Sequence, residues 1–281
     1  MSLSLEVAVF SGAYGLKAQA LGAKRIEINA PGSYEAGGLT PPVSELTSIA
    51  SQLEIPVRIM IRPRGPPQIV NGSDGGDSHR ETQDFIYTKS EIKQMLYAIH
   101  DFKASNVMNP LRGDAFVFGI LKRQDNPEAL AKYPEERYII DENCCKMLID
   151  AARPFGCIFH RAFDPIAATD RWQDGLDALI RCGFEGVLTA GGVGNCSGNV
   201  KKLDQMCHRT IGKLQIIAGG GVRSHNVKDT VACLSTHGAK NVWMHTASLM
   251  ARTNEDGHQR EELDTDELLK ILGTMSLTSP D

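Results

Sequence analysis

A recurrence constrains this chain more than any other feature. Eight short runs of β-branched and other apolar residues are spread along its length: LEVAVF (5–10), RIEINA (25–30), VRIMIRP (57–63), AFVFGIL (115–121), CIFHRAF (157–163), GVLTAGG (186–192), LQIIAGGG (214–221) and NVWMHTAS (241–248). Each has the length and composition of a buried strand. Segments with helical periodicity lie between them, among them Gly15–Leu21, Val43–Gln52, Ser90–Phe102, Glu142–Ala152, Trp172–Cys182, Val227–Leu234 and Thr265–Leu272. Strands that alternate with helices pair in parallel through right-handed crossovers. Eight such units in 281 residues predict one α/β domain over residues 1–281, a TIM-type (β/α)8 barrel. A doubly wound sheet is the other arrangement that this alternation allows.

The junctions and loops agree with a barrel. Gly22-Ala23-Lys24-Arg25-Ile26, Gly183-Phe184-Glu185-Gly186-Val187 and Gly238-Ala239-Lys240-Asn241-Val242 repeat one pattern, a glycine that ends a helix just before a strand. The segments after strands are the long ones: Gly32–Pro42, Gly65–Lys89, Lys122–Ile140 and Gly191–Ser197. Long loops there decorate the C-terminal face of a barrel, where sites of this fold lie. The stretch at about 65–90, with Pro66-Pro67, Asn71-Gly72 and Gly75-Gly76, reads as an extended, turn-rich loop after strand three.

Composition excludes several functions. No apolar run reaches the roughly 20 residues of a membrane helix, and Met1–Leu5 carries no secretory signature. The net charge of −4 gives no footprint for nucleic acid. Seven irregularly spaced cysteines argue against a disulfide framework and for a reducing compartment. There is no C-x-x-C, no H-E-x-x-H and no zinc-type Cys/His spacing.

Strands of a parallel barrel are covered on both faces, so charge inside them is informative. Turning the aliphatic faces of the first three strands toward the helices points Glu6, Glu27 and Arg62 into the barrel. Alternation in CIFHRAF puts Ile158, His160, Ala162 and Asp164 on one face, and Thr189 and His245 lie near the ends of strands six and eight. Glu6, Glu27, Arg62, His160 and Asp164 are therefore the candidate catalytic residues, because a Glu–Arg–His cluster at a barrel mouth suits acid–base work on a small anion. A structural ion-pair network is the alternative use of the same charges. After strand seven, Gly219, Gly220 and Gly221 let backbone N–H groups approach a ligand, and Ser224 is placed to cap the next helix. With Arg62 they form the candidate anion-binding set.

The strand motifs resemble one family, the CutC copper-homeostasis proteins. Met60-Ile61-Arg62-Pro63-Arg64-Gly65 matches M-I-R-P-R-G, and Phe159-His160-Arg161-Ala162-Phe163-Asp164 matches F-H-R-A-F-D. Gly183-Phe184-Glu185 with Val187-Leu188-Thr189 resembles G-F-x-x-V-L-T, and Gly37-Gly38-Leu39-Thr40-Pro41 resembles G-G-x-T-P. The resemblance implies a TIM barrel, cytoplasmic residence, a homo-oligomer and a role in copper homeostasis with Cu(I) as the ion handled. It implies no settled reaction. Animal members carry the proposed Cu(I) thiolates in motifs like E-V-C-V and I-E-L-C; here those segments read Glu6-Val7-Ala8-Val9 and Ile26-Glu27-Ile28-Asn29. Cu(I) prefers soft sulfur ligands, and Ala8 and Asn29 replace both. The rival reading is a barrel enzyme for a small anionic or phosphorylated substrate.

Overall fold

The computed structural model describes residues 3–67, 84–132, 138–253 and 259–278. Asn71-Gly72, Gly75-Gly76 and most of the extended loop expected after strand three lie outside those residues. Eight parallel strands close into a barrel: β1 (Ser4–Val9), β2 (Arg25–Ile28), β3 (Val57–Met60), β4 (Ala115–Phe118), β5 (Gly156–Phe159), β6 (Gly186–Thr189), β7 (Gln215–Ala218) and β8 (Val242–Thr246). Each pairs with its neighbours in sequence, and β1 closes the ring on β8 with Glu6 in register with His245. This is the (β/α)8 barrel expected, and the doubly wound sheet is excluded.

The faces divide as the alternation requires. Leu5, Val7, Val9, Ile26, Ile28, Val57, Ile59 and Ile61 pack outward into the core shared with the helices. Inside, Met60, Val117, Ile158, Leu188 and Ile217 form a separate apolar cluster, with Trp243 against it. Strands β1, β2 and β8 instead turn polar residues inward, so the barrel interior has an apolar side and a charged side.

Local chemistry sets the helix boundaries. Thr88 and Glu91 form a capping box: Thr88 Oγ1 accepts from Glu91 N–H, and a Glu91 carboxylate oxygen accepts from Thr88 N–H. This starts the helix Lys89–Ala104, whose Ile92, Met95, Ile99 and Phe102 form its buried stripe. Gly22 and Gly183 end their helices in the left-handed conformation at φ 111° and 95°. Gly238 also has positive φ, yet it follows a 3-10 turn, Ser235–His237, and its ψ of 154° is extended.

Two expectations need correction, and one helix had none. The run 115–121 is not one strand: it leaves the barrel at Phe118, and Leu121–Arg123 pairs antiparallel with Tyr138–Ile140. Gly119 marks the break, since a Cβ there would lie 2.5 Å from His160 Nδ1. The run 157–163 likewise stops at Phe159 and turns into a 3-10 helix, Arg161–Phe163. The helix Val200–Thr210 was not singled out, because KKLDQ and HR dilute its buried Leu203, Met206, Cys207 and Thr210.

Gly183 isolates the cost of backbone strain. No atom lies within 4 Å of where its Cβ would be. Gly183→Ala should therefore lower the unfolding free energy by about 1–2 kcal/mol from left-handed geometry alone, read by urea denaturation. An unchanged midpoint would show that the cap can relax at no cost.

Candidate functional site

The charged side of the barrel is built around Glu6. Its Oε2 accepts a hydrogen bond from Arg25 Nε. Its Oε1 lies 2.7 Å from His245 Nδ1. Arg25 is itself buried, with its guanidinium 3.9 Å over the Trp243 ring and Nη1 donating to Gln215 Oε1 at 3.1 Å. Burial alone would raise the Glu6 carboxyl, yet Arg25 and His245 hold it down to about 2. The His245 imidazole is raised: burial opposes its charge, but the hydrogen bond to Glu6 and the field of Glu27 outweigh that. Arg25 and His245 thus flank the Glu6 carboxylate from two sides in a buried row.

Glu27 behaves in the opposite way. Burial raises its pKa, and the charge on Glu6 adds to the effect. Its Oε1 accepts from Asn29 Nδ2 at 3.1 Å, while Glu27 Oε2 and Asn29 Oδ1 are buried with no hydrogen-bond partner among the described residues. Gly38 presses on this pair: a Cβ there would lie 2.2 Å from Asn29 Oδ1, and its φ is 85°. Two carboxyls in one barrel are therefore poised differently, one ionised and one pushed toward its proton, as acid–base pairs require.

The structure places Arg62 elsewhere. Its Nη1 donates to the Ala36 and Gly38 carbonyls, and its Nη2 donates to Asp84 Oδ2 at 2.5 Å. Arg64 holds the same segment through the Asp84 and Ile86 carbonyls at 3.0 and 2.8 Å. The two arginines clamp Asp84–Tyr87 onto the barrel. Phe85 then lies 5.0 Å from the His160 ring and 5.3 Å from the Arg62 guanidinium, by ring centroid. His160 sits beneath. Its Nδ1 accepts from Ala162 N–H at 3.2 Å, and its Nε2 is buried without a partner among the described residues. Burial, with the nearby Arg62 charge, presses its pKa to about 3, so the ring is neutral.

Asp164 joins neither group. Because the strand ends at Phe159, Asp164 opens the short helix Asp164–Ala167 instead of continuing the inner face. Its Oδ1 accepts from Thr189 Oγ1 at 2.6 Å and Ala190 N–H at 2.8 Å, and its Oδ2 from Arg161 Nε at 2.7 Å. It ties the end of β6 to that helix. In the glycine turn, Gly219 N–H donates to the Thr189 carbonyl. Gly220 and Gly221 stand at φ 96° and 75°, with the Arg161 guanidinium beside Gly220. Ser224 is occupied: its N–H and Oγ donate to Glu267 at 2.7 and 2.8 Å, and Asn226 takes the N-cap position of the next helix.

Of the residues that the sequence groups together, the structure brings Glu6, Glu27 and His245 close to one another and gives Arg62, His160 and Asp164 other partners. Arg25 and Asp84 are the partners that the sequence grouping missed. Arg25 was within reach, since it shares an inner face with Glu27 and Asn29. Asp84 lies at the far end of the long loop, where no pattern marks it.

Cu(I) does not fit this donor set. Ala8 is buried in register with Glu27, and Asn29 donates to Glu27, so no sulfur faces the pair from those positions. Glu6, Glu27 and His245 do present three hard or borderline atoms within 4.8 Å of one another. Glu6, however, gives its Oε2 to the buried Arg25 guanidinium, a fixed cation that opposes a second positive ion beside it.

Together, the closed barrel and the buried carboxyl pair inside it define a (β/α)8 protein with a charged interior. The CutC family model matches residues 3–74 and 78–244, and the chain belongs to the CutC family. It is 31% identical to a CutC family protein of Histophilus somni over 82% of this chain and 77% of that one. It is 31% identical to the mouse copper homeostasis protein cutC homolog, over 80% and 67%. The solved CutC structure from Streptococcus agalactiae shares the fold with a TM-score of 0.64 at 22% identity, over 88% and 99%. No helix among the described residues is long and apolar enough to cross a membrane.

Two measurements test the charge assignment. Glu6→Gln should lower the unfolding free energy at neutral pH by about 3–5 kcal/mol, because Arg25 is left buried without its counter-charge. Glu27→Gln removes a carboxyl already pushed toward its neutral form and should leave stability equal or higher. Equal losses in urea denaturation would refute the split.

His160 gives a pH signature. Its folded pKa is about 3 against an ordinary 6.5, so its contribution is complete above 6.5 and lost as pH falls toward 3. His160→Phe should flatten that acid limb relative to the wild type. Superimposable pH profiles would show that the ring is not held neutral.

Proposed function

We propose that this chain acts in copper homeostasis, the role carried in the names of its mouse, human and Caenorhabditis elegans relatives. It does so through the oxygen and nitrogen chemistry of its barrel mouth, without capturing Cu(I) by thiolates there. The carrying observation is the inner face of β1 and β2, where Ala8 and Asn29 stand beside a Glu27 whose Oε2 is buried without a partner among the described residues. An unsatisfied buried oxygen near the His245 imidazole suits a small polar or anionic molecule that exchanges hydrogen bonds with Glu27 and His245. Gly220, Gly221 and Arg161 offer a second contact for negative charge. Arg62 and Ser224, which the motif reading put in the anion-binding set, belong instead to the walls of this mouth. Cytoplasmic residence, one barrel unit and self-association are parts of the same reading; the seven free cysteines support the first.

An anaerobic Cu(I) competition titration tests it. The wild type should leave Cu(I) on a weak chelator. The double variant Ala8→Cys/Asn29→Cys, which puts two thiols on adjacent strands, should withdraw it. Stoichiometric withdrawal by the wild type would overturn the proposal.

A further inference from the structure

The end of the barrel where the strands begin carries a second cluster that the mouth does not use. The helix Val200–Thr210 leads into β7, and the 3-10 turn Ser235–His237 leads into β8. Asp204 and His208 are one turn apart on that helix, so their side chains share a face. His237 comes from the turn and completes the group.

The geometry is convergent. His237 Nε2 lies 2.7 Å from Asp204 Oδ1. His208 Nε2 lies 3.8 Å from Asp204 Oδ2. The two imidazole rings stand edge to face, with centroids 4.5 Å apart at 84°. One ligating atom from each residue falls within 4.8 Å of the others. The side-chain exposures grade outward: 3% for His237, 33% for Asp204 and 68% for His208. The buried imidazole thus aims its nitrogen at a carboxylate, and an exposed imidazole covers the open side. Arg209 next to the cluster is engaged by Asp177 at 2.6 Å, so its charge is compensated.

We propose that Asp204, His208 and His237 bind one divalent late-transition cation of the zinc type. Two imidazoles and a carboxylate, with a fourth position open to water, are the donor set such ions take in tetrahedral sites. Ligand atoms about 2.0–2.2 Å from a shared ion are reached by small side-chain rotations from the observed spacing. A hydrogen bond alone between Asp204 and His237 would tie the helix to the turn but would give His208 no task.

Co2+ serves as the probe, since its visible absorption reports tetrahedral coordination. The full chain should take up one equivalent with a strong visible band, and Zn2+ should displace it. His208→Ala is the decisive variant, because its side chain is 68% exposed and its removal leaves the core intact. It should lose the band, and affinity should fall by more than about 100-fold, beyond the loss of an outer-shell partner. Glu27→Gln at the mouth should leave the band intact. Unchanged Co2+ affinity in His208→Ala, or loss of the band in Glu27→Gln alone, would overturn the site.

Discussion

The ionised state of Glu6 is the constraint on which the interior of this barrel depends. A lone carboxylate at that depth would take up a proton, because no solvent stabilises its charge. Arg25 and His245 prevent this from two sides. Arg25 in turn must be held flat, and Trp243 and Gln215 do so. The polar residues of β1, β2, β7 and β8 are therefore one linked set. The adjoining apolar cluster of Met60, Val117, Ile158, Leu188 and Ile217 keeps water from relaxing it. Glu27 shares the field of this set but has no cation of its own in contact, so its carboxyl moves the other way.

A second dependency runs through Arg62 and Arg64. Alternation along β3 sends Met60 inward to the apolar cluster, and beyond the end of the strand both arginines meet the segment that returns after the long loop. Arg62 meets Asp84, and Arg64 meets the Asp84 and Ile86 carbonyls as well as Glu91 of the next helix. Glu91 is also the capping-box residue of that helix. Loop closure, mouth cover and helix start are thus bound through one motif. Phe85, delivered by that closure, covers His160 and helps to keep its ring dry and neutral.

The barrel was legible because parallel strands covered on both faces leave a compositional mark that survives in a single sequence. Alternation then oriented Glu6 and Glu27 correctly, since strand geometry has a strict period of two. The same rule failed at Asp164, where the chain had already left the strand for a 3-10 turn. Periodicity has no term for where a strand stops. It also could not choose partners. Arg62 was close enough in sequence terms to serve Glu27, and its choice of Asp84 depends on a loop closing over 22 residues. Asp204, His208 and His237 went unnoticed because Asp204 and His237, 33 residues apart, meet only in the folded barrel.

The residues at positions 8 and 29 explain the character of this part of the barrel interior. A thiolate at position 29 would add a negative charge beside Glu27 and Glu6, and two or three anions in one buried site cannot all stay ionised. Asn29 instead gives Glu27 a neutral donor through Nδ2 and keeps its own oxygen free. Ala8 leaves the register position opposite Glu27 small and apolar. Both changes move the pair away from soft-metal chemistry and toward sharing protons. The substitutions and the split carboxyls are therefore two aspects of one electrostatic solution.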